Sequence, residues 1–170
     1  MGRLHCRNCR SIMIILTGAS GGIGKELIPH LTKIDQVIGI YNSSKPKSKP
    51  GSNLTYVQLN IADSEEVENF IETWKIELNK CKKLTVVHLA AVKTDGLVIN
   101  YSEEDWDLLM QANLKAGFLL TKYLLPIMIR IGYGRNIFTS SRGALDGDVG
   151  AIAYSTSKAG ILGMSKVLAK

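Results

Sequence analysis

Short apolar runs alternate along this chain with longer stretches whose apolar positions recur every three or four residues. Residues 12–17, 37–41, 54–59, 84–89 and 136–140 are short, apolar and bounded by turn residues, which predicts five β-strands. Between them, 23–31 and 64–78 carry the helical period. Glu65, Glu66 and Glu68 crowd the start of the second stretch, where negative charge meets the positive end of the helix dipole. A long helical stretch covers 103–131, with Pro126 expected to bend or end it locally. A last helix starts near Tyr154 and runs into the C-terminus. This alternation predicts an α/β fold, a doubly wound parallel sheet covered by helices on both faces. Residues 42–53, rich in Ser, Lys and Pro, read as a polar loop within one domain, and no internal repeat is present. The domain is expected over 13–170, with 1–12 as a leader outside it.

Composition narrows the class. With 170 residues, 45% hydrophobic and 21% charged, the chain has too much apolar material for a disordered protein. No apolar run approaches the roughly 18 residues of a membrane span, so a membrane is not an expected partner. Three cysteines, Cys6, Cys9 and Cys81, cannot pair completely and fit a reducing, cytoplasmic setting. Arg3, Arg7 and Arg10 of the leader, which has no acid, supply half of the formal charge of +6. No clustered basic face with reading elements appears, so nucleic acid is not an expected partner either. Cys6 and Cys9 have the gap of a zinc half-site with His5 beside them. A structural zinc site wants four ligands, and only Cys81 and the distant His30 and His88 remain. No metal is therefore expected, and the leader reads as a disordered or non-native extension. It lacks the apolar core of a secretory signal, and Met13 is a candidate natural start.

Three segments carry candidate chemistry. Gly18, Gly22 and Gly24 lie between the first strand and the first helix, where glycines let the backbone turn tightly and approach a pyrophosphate at a helix N-terminus. Tyr154 and Lys158, four residues apart, fall on one helix face, where an ammonium favours the phenolate of a proton-transferring tyrosine. Ser141 follows the last strand, at the strand end where open α/β sheets place ligands, and a loop could bring it to the phenol. Each has an ordinary reading as well: a structural turn, an exposed helix surface, a turn serine.

Together these segments resemble the short-chain dehydrogenase/reductase family, from Met13 nearly to the end of the chain. The resemblance implies a Rossmann-type three-layer fold. The family's glycine motif falls on Thr17, Gly18, Gly22 and Gly24, with Ser20 and Ile23 inside it. Its catalytic serine, tyrosine and lysine fall on Ser141, Tyr154 and Lys158, and its asparagine on Asn113. The separation of Ser141 from Tyr154 and the ending Lys158-Ala-Gly160 resemble the classical subgroup, and within it 3-oxoacyl-acyl-carrier-protein reductase-like members. The glycine spacing at Gly18, Gly21 and Gly24 also suits the extended subgroup. One departure is clear: the classical Asn-Asn-Ala-Gly is here His88-Leu-Ala-Ala91, with Ala90 and Ala91 expected beside the cofactor and His88 as a bridge between strands.

The resemblance implies hydride exchange between a nicotinamide and a carbonyl or secondary alcohol. In it Tyr154 is the general acid/base, Ser141 the hydrogen-bond donor to the carbonyl oxygen, and Lys158 the group that tunes Tyr154 and holds the nicotinamide ribose. Asn113 would anchor a water that links Lys158 to solvent. Cofactor choice reads from the end of the second strand, where an acid would bind the ribose hydroxyls of NAD. No acid occurs there, and Asn42, Ser43 and Lys45 suit a 2′-phosphate, so NADP is expected over NAD. Gly21 stands where the family often has a phosphate-binding arginine. Asn60 and Ile61 occupy the adenine-contacting positions.

Family members run on past the Tyr–Lys helix into two more strands, a Pro-Gly segment beside the nicotinamide and a helical lid. The chain therefore reads as C-terminally truncated, with the last two family strands missing. Two readings follow: an oxidoreductase given as a fragment, and a non-catalytic or inactive truncated nucleotide-binding protein. Apolar stripes at Leu120, Leu124, Ile127 and Ile131, and at Ile161, Leu162, Met164 and Leu168, are expected partly to cover the sheet and partly to form a homodimer or homotetramer interface in a full-length form.

Overall fold

A computed structural model describes residues 12–47 and 51–170. The leader, with its half-site Cys6 and Cys9, lies outside the described residues apart from Ile12.

Strand β1 (Ile12–Thr17) is apolar on both faces and lies at the centre of a five-stranded sheet. The other strands are β2 (Gln36–Tyr41), β3 (Leu54–Gln58), β4 (Lys83–His88) and β5 (Gly134–Phe138), in spatial order β3-β2-β1-β4-β5. All pairings are parallel, with Ile15 opposite Ile38 on one side and Val86 on the other. The chain reverses its direction of travel across the sheet between β1 and β4, which opens a crevice at their C-terminal ends.

Period-two alternation divides the core. Met13, Ile15, Ile38, Ile40, Leu84 and Val86 face α2 (Ser64–Thr73), α3 (Lys75–Lys80) and α5 (Ala116–Ile131). Ile14, Leu16, Val37 and Val87 face the other way, where Ile28 of α1 (Gly22–Ile34) covers them. This is the expected doubly wound, three-layer α/β architecture.

Two expected elements differ in detail. The helix expected over 64–78 breaks at Trp74, whose backbone (φ −97°, ψ 7°) leaves the helical region and separates α2 from α3. Asp63, just before that stretch, caps it by accepting from the Glu65 and Glu66 amides. The stretch 103–131 is three pieces: α4 (Glu103–Met110), a π-turn (Gln111–Lys115) and α5. Pro126 does not end the helix, because Leu124, Ile127 and Met128 around it are buried against the sheet. Gly132 ends it instead, in the left-handed conformation (φ 70°) that favours glycine.

The expected interface stripe is also corrected in part. Leu120, Leu124 and Ile127 are fully committed to the core, and Ile131 packs against it. The apolar residues that α5 leaves exposed are Phe118, Leu125 and Ile129, on its other face.

His88 bridges strands as expected. Its Nε2 donates to Asn136 Oδ1 on β5 (3.0 Å), and its ring stacks on Phe138 at 4.3 Å between centroids. Burial lowers its pKa from 6.5 to about 4, and Nδ1 has no partner among the described residues. The folded protein thus keeps a neutral imidazole down to a pH at which the unfolded chain has already taken up a proton. Stability linked to His88 is complete above pH 6.5 and falls as the pH drops from 6.5 towards 4. Between pH 7 and pH 5 the expected loss is about 2 kcal/mol. Urea unfolding of the unaltered protein and of His88→Asn at both pH values isolates this contribution. Equal losses in the two proteins would remove His88 as the cause.

Candidate functional site

The turn after β1 is shaped by backbone contact. At Gly18 (φ +69°) a Cβ would meet the Ala90 amide nitrogen at 2.8 Å, so the turn lies directly against the segment after β4. Thr17 Oγ1 fastens the same junction by accepting from the Leu89 and Ala90 amides, each at 3.1 Å. Gly21 precedes α1, and its carbonyl accepts from the Lys25 amide. Gly22 has open space where a Cβ would stand, whereas Gly24 is buried against the Gly18 carbonyl.

Around this turn lies a cleft of about 280 Å³ at the C-terminal ends of β1, β2 and β4. Of the sequence-predicted residues, Gly18, Ser20, Asn42, Ser43, Asn60, Ile61, Ala90 and Ala91 line it. Gly21 and Ser44 line it too, though neither was singled out as a contact. Lys45 is exposed on the same loop but is not part of the wall, and Ile23 is 65% exposed outside it. Gln58 Nε2 donates to the Asn42 carbonyl and ties the loop to β3. Asn60 spends its Oδ1 on the Ala62 amide. A larger groove of about 440 Å³ follows the open edge of β5 between α5 and the last helix and contains none of the motif residues.

After the short α6 (Gly143–Asp146), α7 (Ile152–Leu168) presents Tyr154 and Lys158 beside the cleft. Lys158 is 2% exposed, and its ammonium donates to the Thr139 carbonyl just past β5 at 2.9 Å. Burial lowers its pKa from the usual lysine value. The same ammonium lies 5.8 Å from the centre of the Tyr154 ring. Ser140 Oγ donates to the Lys158 carbonyl, so the turn after β5 is pinned to this helix. Ser141, next along, accepts from the Gly143 amide at 3.2 Å, which leaves its hydroxyl proton available to another acceptor.

Asn113 sits in the π-turn and is buried. Its amide clamps the loop after β4: Oδ1 accepts from the Val92 amide (2.8 Å), and Nδ2 donates to the Val92 carbonyl (2.9 Å) and to Ser157 Oγ (3.2 Å). A small internal cavity joins Thr17, His88, Ala90, Asn113 and Lys158. The structure thus brings Asn113, Tyr154 and Lys158 together beside the glycine turn, with Ser141 on the adjoining turn. Lys93 belongs to the same constellation, with its ammonium 5.8 Å from the Tyr154 ring centre. Sequence reasoning missed it, because nothing local to residue 93 signals a contact with a helix far along the chain. No group of His, Cys, Asp and Glu among the described residues could hold a metal ion, and no described helix is long and apolar enough to cross a membrane.

Comparison with known proteins agrees with this fold. The family model for short chain dehydrogenases matches residues 12–170. A 3-oxoacyl-acyl-carrier-protein reductase from Rickettsia conorii is 36% identical over 160 residues, which is 91% of this chain and 64% of the relative. Nodulation protein G from a Rhizobium species is 32% identical over 161 residues, 92% of this chain and 65% of the relative. The chain therefore spans a little under two thirds of the length of these curated relatives. Among solved structures, a short chain dehydrogenase from Leptospira borgpetersenii with bound NAD+ superposes with a TM-score of 0.83 at 20% identity, covering 94% of this chain and 65% of that one. The ligand-free aldohexose dehydrogenase of Thermoplasma acidophilum gives 0.79 at 24% identity, covering 94% and 61%.

Proposed function

The chain belongs to the short chain dehydrogenase family, and on that premise we propose that it is the nucleotide-binding and catalytic part of an NADP-preferring oxidoreductase that interconverts a carbonyl and a secondary alcohol. The observation that carries this reading is the buried Lys158 ammonium held by Thr139 against the Tyr154 ring, beside a glycine-walled cleft. A structural turn needs no such cation.

The cleft fits a dinucleotide. Backbone at Gly18 and Gly22 would hold phosphate groups near the start of α1, Asn60 and Ile61 would hold a base, and Ala90 and Ala91 would leave room beside the β4 end. Bound cofactor supplies hydride chemistry, and the protein supplies binding, orientation and the proton. The Tyr154 hydroxyl donates its proton to the carbonyl oxygen as the alcohol forms, and accepts one in the reverse direction. Lys158 stabilises the phenolate left behind. Ser141, already an acceptor from Gly143, keeps its proton and donates a hydrogen bond to the same carbonyl oxygen. Asn113 acts by holding Val92 and Ser157, and through them the walls on both sides of Tyr154. Assembly into a homodimer or homotetramer belongs to this proposal. The exposed Phe118, Leu125 and Ile129 support it.

Cofactor preference follows from the absence of a carboxylate on the cleft wall over Tyr41, Asn42, Ser43 and Ser44. These side chains offer hydrogen bonds to a 2′-phosphate, and Lys45 on the same loop adds positive charge. A charge-assisted contact of this kind corresponds to about tenfold tighter binding of NADPH than of NADH. Fluorescence titration of both cofactors checks this, and equal affinity or an NADH preference would defeat it. Following NADPH oxidation with a 3-oxo ester tests the reaction. Tight binding without turnover would favour the second reading, a nucleotide-binding protein without catalysis.

A further inference from the structure

Two ammonium groups, not one, lie against the Tyr154 ring. Lys93 and Lys158 are each 5.8 Å from its centre. They differ in surroundings: Lys158 is interior, whereas the Lys93 side chain is 53% exposed and follows Val92 of the cleft wall.

The segment that carries Lys93 is held at three points. Asn113 clamps Val92 through both its amide and its carbonyl. The Thr94 and Tyr101 hydroxyls are hydrogen-bonded to each other. The Gly96 amide donates to the Gly150 carbonyl (2.8 Å), and Gly96 bridges to Ala151, just before α7. The position of Lys93 relative to Tyr154 is therefore set by the same contacts that set the site. Its ion pair with Asp95, at 3.1 Å, is exposed and contributes little to stability. Arg142, on the turn after β5, is already engaged by Asp146 and Asp148. Of the two ammonium groups against the Tyr154 ring, Lys93 is the exposed one that can meet an incoming anion, with Asp95 as its exchangeable partner.

We infer that Lys93 is a specificity-determining residue, selecting carbonyl substrates that carry a carboxylate a few bonds from the reacting carbonyl. This rests on the oxidoreductase reading above. With the carbonyl oxygen at the Tyr154 hydroxyl, a nearby carboxylate reaches the Lys93 ammonium and takes the place of Asp95 there. A neutral ester of the same skeleton forms no such pair.

The test compares acetoacetate with methyl acetoacetate in NADPH-dependent reduction. For Lys93→Met the preference for acetoacetate over the ester, as a ratio of kcat/KM values, is expected to fall about fivefold, mostly through KM. Lys93→Arg restores the ratio. Asp95→Asn raises it, because the competing carboxylate is gone. An unchanged ratio in Lys93→Met, or a ratio that Lys93→Arg fails to restore, overturns the inference. Ligand-observed NMR of acetoacetate binding to the NADP-loaded protein provides a readout independent of turnover. If neither compound is reduced, the oxidoreductase reading fails. Weaker acetoacetate binding to Lys93→Met would then still support the anion site, whereas equal or absent binding would overturn it.

Discussion

Replacing Tyr154 with phenylalanine is expected to leave cofactor affinity within about twofold and to cut turnover by about 10²- to 10⁴-fold, the usual weight of a general acid–base group. The substitution isolates the proton. The Tyr154 ring keeps its place near the Lys93 and Lys158 ammonium groups, and no hydrogen bond engages its hydroxyl among the described residues, so the fold loses no partner. Lys158 would be a poorer first target. It is buried, and removing it strips the Thr139 carbonyl of its donor, so lost activity would mix with lost structure. Nucleotide titration and steady-state kinetics on the same Tyr154→Phe preparation separate binding from chemistry. A loss below about fivefold would mean that a different group supplies the proton.

What was legible in the sequence divides along a physical line. The strands, the doubly wound order and the glycine turn are local: β1 is apolar at nearly every position because helices cover both of its faces, and a turn against another strand end demands a glycine at Gly18. His88 was legible as a strand bridge because a histidine at the end of an apolar strand needs a partner, and Asn136 on the next strand supplies it. Features set by tertiary packing were not legible. The π-turn around Asn113 exists because its side chain must reach Val92 and Ser157 together, a demand no local period carries. Pro126 reads as a breaker, yet burial of Leu124, Ile127 and Met128 holds α5 through it. Leu120, Leu124 and Ile127 form a stripe at helical spacing, and the spacing alone does not say whether sheet or partner covers it. Lys93 was invisible because its contact crosses from the loop after β4 to α7. Lys45 stands out by charge, although Ser44 is its neighbour on the cleft wall.

The glycine turn yields the second large effect, because two glycines of one motif are expected to fail in different ways. At Gly24 a Cβ would stand 2.3 Å from the Gly18 carbonyl oxygen and 3.1 Å from Ala19 Cα. Both neighbours are backbone, so neither can give way without moving the turn or the start of α1. Gly24→Ala is therefore expected to lower stability by about 1–3 kcal/mol, as overpacking does, and to lose nucleotide affinity as a consequence. At Gly22 nothing lies within 4 Å of where a Cβ would be. Gly22→Ala should leave the fold intact, or raise its stability by a few tenths of a kcal/mol because alanine suits a helix better. If the open space at Gly22 exists to let a pyrophosphate approach the start of α1, the added methyl occupies it, and NADPH affinity should fall by about tenfold or more. Thermal unfolding and NADPH titration of both variants read the two effects apart. A Gly22→Ala protein that binds NADPH normally would mean that the space serves no phosphate, and a Gly24→Ala protein of unchanged stability would mean that the turn is not held by that contact.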